Sequence, residues 1–140
     1  MKCWRVMRAD VECCRRGDPV EAVAERMRRL DVGFMPVCDG GGVVVGTVTD
    51  RDLAVRVLGE HRDARRTLVD EVMSREVVSC LPDDDLDVAE DLMERHKTSR
   101  VICVDERGRA CGVISLPDVA RVEQRARAAE ILQATLQWAP

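Results

Sequence analysis

The stretch Gly46-Thr47-Val48-Thr49-Asp50-Arg51-Asp52 has a counterpart 66 residues further on, Gly112-Val113-Ile114-Ser115-Leu116-Pro117-Asp118. Each begins as a short strand, then places a hydroxyl residue (Thr49 or Ser115) and, three positions later, an aspartate. That order is the signature of a strand running into a capped helix. The hydroxyl can accept a first-turn N–H, and the carboxylate complements the helix dipole. The same corner has a second use. Free N–H groups at a helix start attract phosphate, and an ionised carboxylate can accept both hydroxyls of a ribose diol. Thr47 and Thr49, two apart, share one strand face. At this point both uses stay open.

The offset holds outward from the corner. Val6-Met7 falls on Val72-Met73, Val11 on Val77, Cys14 on Cys80, Asp18 on Asp84, Met27 on Met93, Gly42 on Gly108 and Asp52 on Asp118, without a gap. Each copy reads β-α-β-β-α. An apolar stretch (Val11–Cys14, or Glu76–Leu81) leads to a helix whose apolar positions are Val20, Val23, Met27 and Leu30, or Leu86, Ala89 and Met93. Asp18 before Pro19, and Asp83 or Asp84, are the expected caps. The strands Phe34–Cys38 and Val43–Thr49, or Val101–Val104 and Ala110–Ser115, then flank Gly-containing turns, and a helix closes each copy. Half a chain of this size buries too little surface to be stable alone. The expectation is an α+β fold in which two repeats pack sheet to sheet with pseudo-two-fold symmetry. Residues 3–60 form the first repeat and 70–125 the second. Residues 61–69 form a linker whose charges, His61 to Arg66, make a solvated face, and residues 126–140 form a helical extension. Val119, Val122, Ala126, Ala129, Leu132 and Leu136 make a stripe along that last helix, so its tail is expected against a second subunit or the first repeat.

Composition narrows the function. A chain of 140 residues, 46% hydrophobic and 34% charged, has the balance of one compact globular unit rather than of a disordered chain. No apolar run approaches the ~20 residues of a membrane-spanning helix. A net charge of −4 argues against general nucleic-acid affinity. Trp4, Trp138 and Phe34, with no Tyr, cannot build a stacking platform. The seven cysteines contain no Cys-x-x-Cys pair, and the start Met1-Lys2-Cys3-Trp4-Arg5 has no secretory apolar core. Both point to a cytoplasmic protein with reduced, buried thiols. Thr49 and Ser115 have no base partner at a usable spacing, which argues against an enzyme.

The doubled pattern resembles a tandem pair of CBS domains, a Bateman module of the free-standing bacterial type. Val6-Met7 is similar to the opening of each such repeat, Phe34-Met35-Pro36-Val37 to its second strand, and Gly46 through Leu53 to its G-h-h-T-x-R-D-h signature. The resemblance covers about residues 3–125. It implies a regulatory module that binds an adenosine-containing ligand (AMP, ADP, ATP or S-adenosylmethionine) between the repeats without transforming it. Such a module requires no cofactor, forms homodimers and acts on an unnamed regulated protein. Carried over, a first cleft uses Cys13, Pro36, Thr47, Thr49 and Asp52, with Arg51 near phosphate. A second uses Ser79, Ile102, Val113, Ser115 and Asp118, with Arg100 either near phosphate or in a surface salt bridge. His96 reads as a satisfied, semi-buried histidine. Three departures stand out: Ile102 in place of Pro, Leu116-Pro117 in place of Asp-Arg, and Cys13 in place of a hydroxyl residue. Two alternatives follow. Cys13, Cys14 and Cys38 lie near one cleft in such a fold, so a Cys13–Cys38 disulfide or a zinc site is one, and an interaction module with degenerate clefts is the other.

Overall fold

A computed structural model describes residues 1–137; residues 138–140, with Trp138 and the end of the expected helical extension, lie outside the described residues. The first repeat contains α1 (Val20–Leu30), β1 (Phe34–Cys38), β2 (Val44–Thr49) and α2 (Asp50–Leu53), which continues as a π-helical stretch, Ala54–Leu58. After a short α3 (Val69–Val72), the second repeat contains β3 (Ser79–Cys80), α4 (Leu86–His96), β4 (Arg100–Val104), β5 (Ala110–Ser115) and α5 (Leu116–Gln137). β1 and β2 form one antiparallel sheet; β3, β4 and β5 form the other, with β3 parallel to β4. The α+β, two-sheet architecture is the one expected.

The repeat offset persists in space. Phe34 pairs with Thr49 and Arg100 with Ser115, the same register 66 residues apart. In each hairpin turn an aspartate gathers two backbone N–H groups, Asp39 from Gly41 and Val43, Asp105 from Arg107 and Arg109. Gly42 and Gly108 take φ of +82° and +80°, which glycine adopts without a Cβ penalty. The pseudo-two-fold axis brings equivalent residues together. Val43 bridges Arg109, and the Arg100 guanidinium lies 5.3 Å from the Phe34 ring centroid.

The two cores exchange segments. α1 contributes Val20, Val23 and Met27 to the first core, beside Met35, Val37 and Val48 of the sheet. That core also takes Val69, Val72 and Met73, which open the second repeat. Conversely Cys3, Val6 and Met7 pack with Leu86, Ala89, Met93, Val101 and Ile114 in the second core. Backbone bonds seal both crossings. Thr47 and Ser74 exchange N–H···O bonds at 2.9 Å, and Arg8 and Val113 do so at 3.0 and 3.1 Å. Each repeat's opening segment therefore bridges, through one residue, the edge of the other repeat's sheet.

Local expectations are corrected in four places. Asp18 and Asp84 do not cap the helices. Their carboxylates turn back to accept the N–H of Arg15 (2.9 Å) and Leu81 (2.8 Å), and α1 and α4 start after Pro19 and Asp85 with no side-chain cap bond. Those same aspartate turns cut short the leading apolar stretches. Cys14 makes one parallel bridge to Val37, and Ser79–Cys80 is the whole of β3. His96 is exposed rather than semi-buried, its Nδ1 lying 3.0 Å from Glu76 Oε1. The tail of α5 does not fold onto the first repeat. Val119 is buried and Val122 packs at the core edge, but Ile131, Leu132 and Leu136 are 58–68% exposed. The charges of the 61–69 segment are exposed, while Thr67 and Val69 are buried and fasten it to α1.

Candidate functional site

Segment exchange decides which residues face each other. The larger inter-repeat cavity has a volume of about 590 Å³. One wall is the second corner: Val113, Ser115, Leu116, Pro117 and Asp118. The opposite wall belongs to the first repeat, from Val11 and Glu12 through the end of α1 to Phe34 and Pro36. The pseudo-symmetric cavity is about 110 Å³, with Thr47 facing Val78, His96, Thr98 and Ile102. Arg100 borders both.

The grouping expected from the sequence is thus rearranged. Pro36, assigned to one cleft, joins Arg100, Val113, Ser115 and Asp118 of the other. Thr47 and Ile102 share the smaller cavity. Cys13, Thr49, Arg51, Asp52 and Ser79 line neither. The cause is the crossing of the opening segments, which sets each corner opposite the other repeat's leading stretch.

At the second corner Asp118 is 7% exposed. Its Oδ2 accepts the Ser115 N–H (2.9 Å) and hydroxyl (2.7 Å), and its Oδ1 accepts from the Arg121 guanidinium. Burial works against the charged form. The bonds from Ser115 and Arg121, with the positive charge of Arg8, outweigh it and hold the carboxyl below the usual carboxylate range. A carboxylate offers about four acceptor positions, so this one keeps room for one more donor. At the first corner Thr49 and Asp52 close a reciprocal capping box: the Thr49 N–H donates to Asp52 Oδ2 (2.9 Å), and the Asp52 N–H to Thr49 Oγ1 (3.1 Å). Arg56 Nε lies 3.9 Å from Asp52 Oδ1. Here the capping role accounts for the motif. Arg51 is exposed, and its N–H donates to Asp50 (2.8 Å). The Arg100 guanidinium faces Phe34, a cation over a ring face.

The thiols divide sharply. Cys13 is half-buried, and the influence of the neighbouring Cys38 thiol, helped by Arg26 and Arg15, lowers its pKa to about 7 against the opposing effect of burial. The same influence pushes Cys38 up. Burial pushes Cys14 up to about 12, and its sulfur lies 3.6 Å from the Pro36 carbonyl. Cys3, Cys80 and Cys103 form a buried chain, with sulfur separations of 3.9 and 3.7 Å. All seven cysteines are free, and among the described residues no group of three His, Cys, Asp or Glu side chains is placed to hold a metal. No helix of the described residues is long and apolar enough to cross a membrane.

Sequence reading missed Arg8, Asp10, Glu12, Asp31 and Phe34 as cavity-lining residues. The repeat offset offers no clue to Arg8, whose equivalent is Ser74. Phe34 was detectable as the position equivalent to Arg100.

The CBS domain family model matches residues 4–59 and 69–125. The CBS domain-containing protein YhcV of Bacillus subtilis is 39% identical over 101 residues, which span 72% of this chain and 70% of that protein. Hypoxic response protein 1 of Mycobacterium tuberculosis is 27% identical over 83% of this chain and 80% of its own length. A crystal structure of hypoxic response protein I with two coordinated zinc ions superposes with a TM-score of 0.77 at 26% identity, covering 86% of this chain and 98% of that one. The CBS domain pair of protein MJ0100, crystallised with 5′-methylthioadenosine and S-adenosylmethionine, superposes with a TM-score of 0.81 at 20% identity, covering 90% and 98%. At that identity the likeness is one of fold.

Proposed function

This chain belongs to the CBS domain family, and from that premise we propose that it is a regulatory module holding an adenosine-containing ligand in its larger inter-repeat cavity without transforming it. The observation that carries the reading is the ionised, buried Asp118 lining a cavity of about 590 Å³. That volume lies within the roughly 300–1,000 Å³ of small-molecule sites. Val11, Pro36 and Val113 supply apolar surface for a purine, and the remaining acceptor position of Asp118 suits a ribose hydroxyl. The adenosine derivatives in the MJ0100 crystals support the ligand class. The smaller cavity, at about 110 Å³, is too small for a nucleoside without rearrangement. Signalling requires that the ligand favour one packing of the repeats, of a homodimer or of a regulated protein over another, since only differential affinity shifts a population.

The test is a thermal-shift panel of AMP, ADP, ATP, S-adenosylmethionine and 5′-methylthioadenosine on wild type and Asp118→Ala. A ligand at a hundred times its Kd stabilises by about 2.7 kcal/mol. The expected result is a shift with at least one compound that Asp118→Ala abolishes. No shift with any compound supports the ligand-free interaction module instead.

One observation favours a second reading, a thiol-based redox response. Cys13 joins partial exposure, a cationic surround and a neighbouring thiol, the setting of a reactive cysteine. Thiol titration with intact-mass measurement, before and after mild oxidation, tests it. A Cys13–Cys38 disulfide supports it, and seven unchanged thiols overturn it. Zinc carried through native mass spectrometry would support the zinc-responsive form.

A further inference from the structure

Resting on the assignment of an adenosine ligand to the larger cavity, we infer that this cavity takes a nucleoside whose 5′ substituent bears no phosphate, a thioether or sulfonium adenosine rather than a nucleotide. A phosphoryl tail at a strand-to-helix corner is held by unpaired first-turn donors and by cations. At this corner the donors are taken. The Ser115 N–H and hydroxyl both donate to Asp118, the Leu116 N–H donates to the Ser99 carbonyl at 2.8 Å, and the Asp118 N–H donates to Ser115 Oγ at 3.3 Å. Pro117 has no N–H to give.

The charges of the walls agree. Asp10, Glu12, Asp31 and Asp118 line the cavity against Arg8 and Arg100. Arg26 and Arg29 reach Glu12 at 3.1 and 3.8 Å, and Arg121 pairs with Asp118. Of the two lining guanidiniums, that of Arg100 is already over the Phe34 ring. The lining itself, four carboxylates against two guanidiniums, offers no surplus of positive charge to a group carrying two or more negative charges, and the carboxylates repel it. The repeat itself shows what is missing. The first corner has Arg51 where this corner has Pro117. A thioether or sulfonium substituent asks for none of these donors. It needs apolar contact, which Leu116 and Val113 provide, and a cationic sulfur gains from the nearby carboxylates.

Isothermal titration of the full chain with 5′-methylthioadenosine, S-adenosylmethionine, AMP and ATP, at one fixed salt concentration, tests the inference. The expected result is that the two sulfur nucleosides bind at least about tenfold more tightly than AMP and ATP. AMP or ATP binding as tightly as 5′-methylthioadenosine overturns the inference and leaves the adenosine site standing. Failure of all four to bind overturns the adenosine site itself. Pro117→Arg, which returns a cation to the corner, should narrow the preference for 5′-methylthioadenosine over AMP by about tenfold. A ratio that does not move overturns the assignment of the preference to this corner.

Discussion

The first corner, with Thr47, Thr49, Asp50, Arg51 and Asp52, carries the fuller motif, yet it gives only Thr47 to a cavity of about 110 Å³. The second has lost the Asp-Arg pair to Leu116-Pro117, yet it lines a cavity of about 590 Å³ with Ser115 and Asp118. The difference lies in the facing wall. Leu30, Val32 and Pro36 stand opposite the second corner; His96, Thr98 and Ile102 hold the equivalent positions opposite the first. In the smaller cavity the His96–Glu76 pair and the Arg100–Phe34 stack occupy the space between the repeats. A motif specifies one wall of a site between repeats. Whether there is a site depends on the other wall, which is distant in sequence.

The comparison can be broken hardest through the cores behind the corners. Ile114 on β5 and Val48 on β2 are equivalent and fully buried. Ile114→Ala should cost about 2–5 kcal/mol in urea unfolding, and Val48→Ala less, because fewer methylene groups are removed. An Ile114→Ala cost under 1 kcal/mol would break the symmetry of the two cores.

The crossings offer the next test. A Cβ at Gly46 would collide with the backbone carbonyl of Ser74, and one at Gly112 would lie 2.6 Å from the Met7 sulfur and 2.8 Å from the Arg8 carbonyl. Gly46→Ala and Gly112→Ala should each destabilise by about 1–3 kcal/mol. Gly46→Ala should cost more, because its clash with backbone is the closer of the two and backbone yields less readily than a side chain. Unchanged denaturation midpoints would mean that the edge pairings are absent in solution.

Ligand binding should separate the aspartates by about tenfold or more in Kd. Asp118→Ala weakens binding, whereas Asp52→Ala leaves it near wild type and loses a cap contribution of about 1 kcal/mol. Equal effects on titration would merge the two corners into one functional class.

The smallest effect is one of pH. A carboxyl held below its unfolded value contributes stability that is complete above that value and is lost as pH falls through the folded one. The difference in urea midpoint between wild type and Asp118→Asn should therefore be constant near neutrality and shrink below about pH 4. A difference that grew on acidification would contradict the hydrogen bonding around Asp118.

Much of the fold was legible because repeats and helical periodicity are local properties of the chain. The apolar positions Val20, Val23 and Met27, and Leu86, Ala89 and Met93, are buried as their spacing required, whereas Leu30, at the end of α1, is exposed. The helix starts were misread at Asp18 and Asp84, because an aspartate beside a turn can satisfy either the turn or the helix. For the candidate site, Pro36, Arg100, Val113, Ser115 and Asp118 were named, but they were assigned to two clefts and stand in one. Cys13 was chosen for its position near a cleft; the neighbouring Cys38 thiol and the charges of Arg26 and Arg15 distinguish it from the buried thiols.

The sequence by itself determined the duplication, the α+β order of elements and the two capped corners, since each is written in spacings within a few turns or strands. Tertiary structure alone decided that Ser74 joins β2 and Arg8 joins β5, and hence which aspartate meets open space and which thiol is held below its ordinary pKa. Those outcomes depend on contacts between segments tens of residues apart, and an offset that relates two copies to each other does not say which face of one lies against the other.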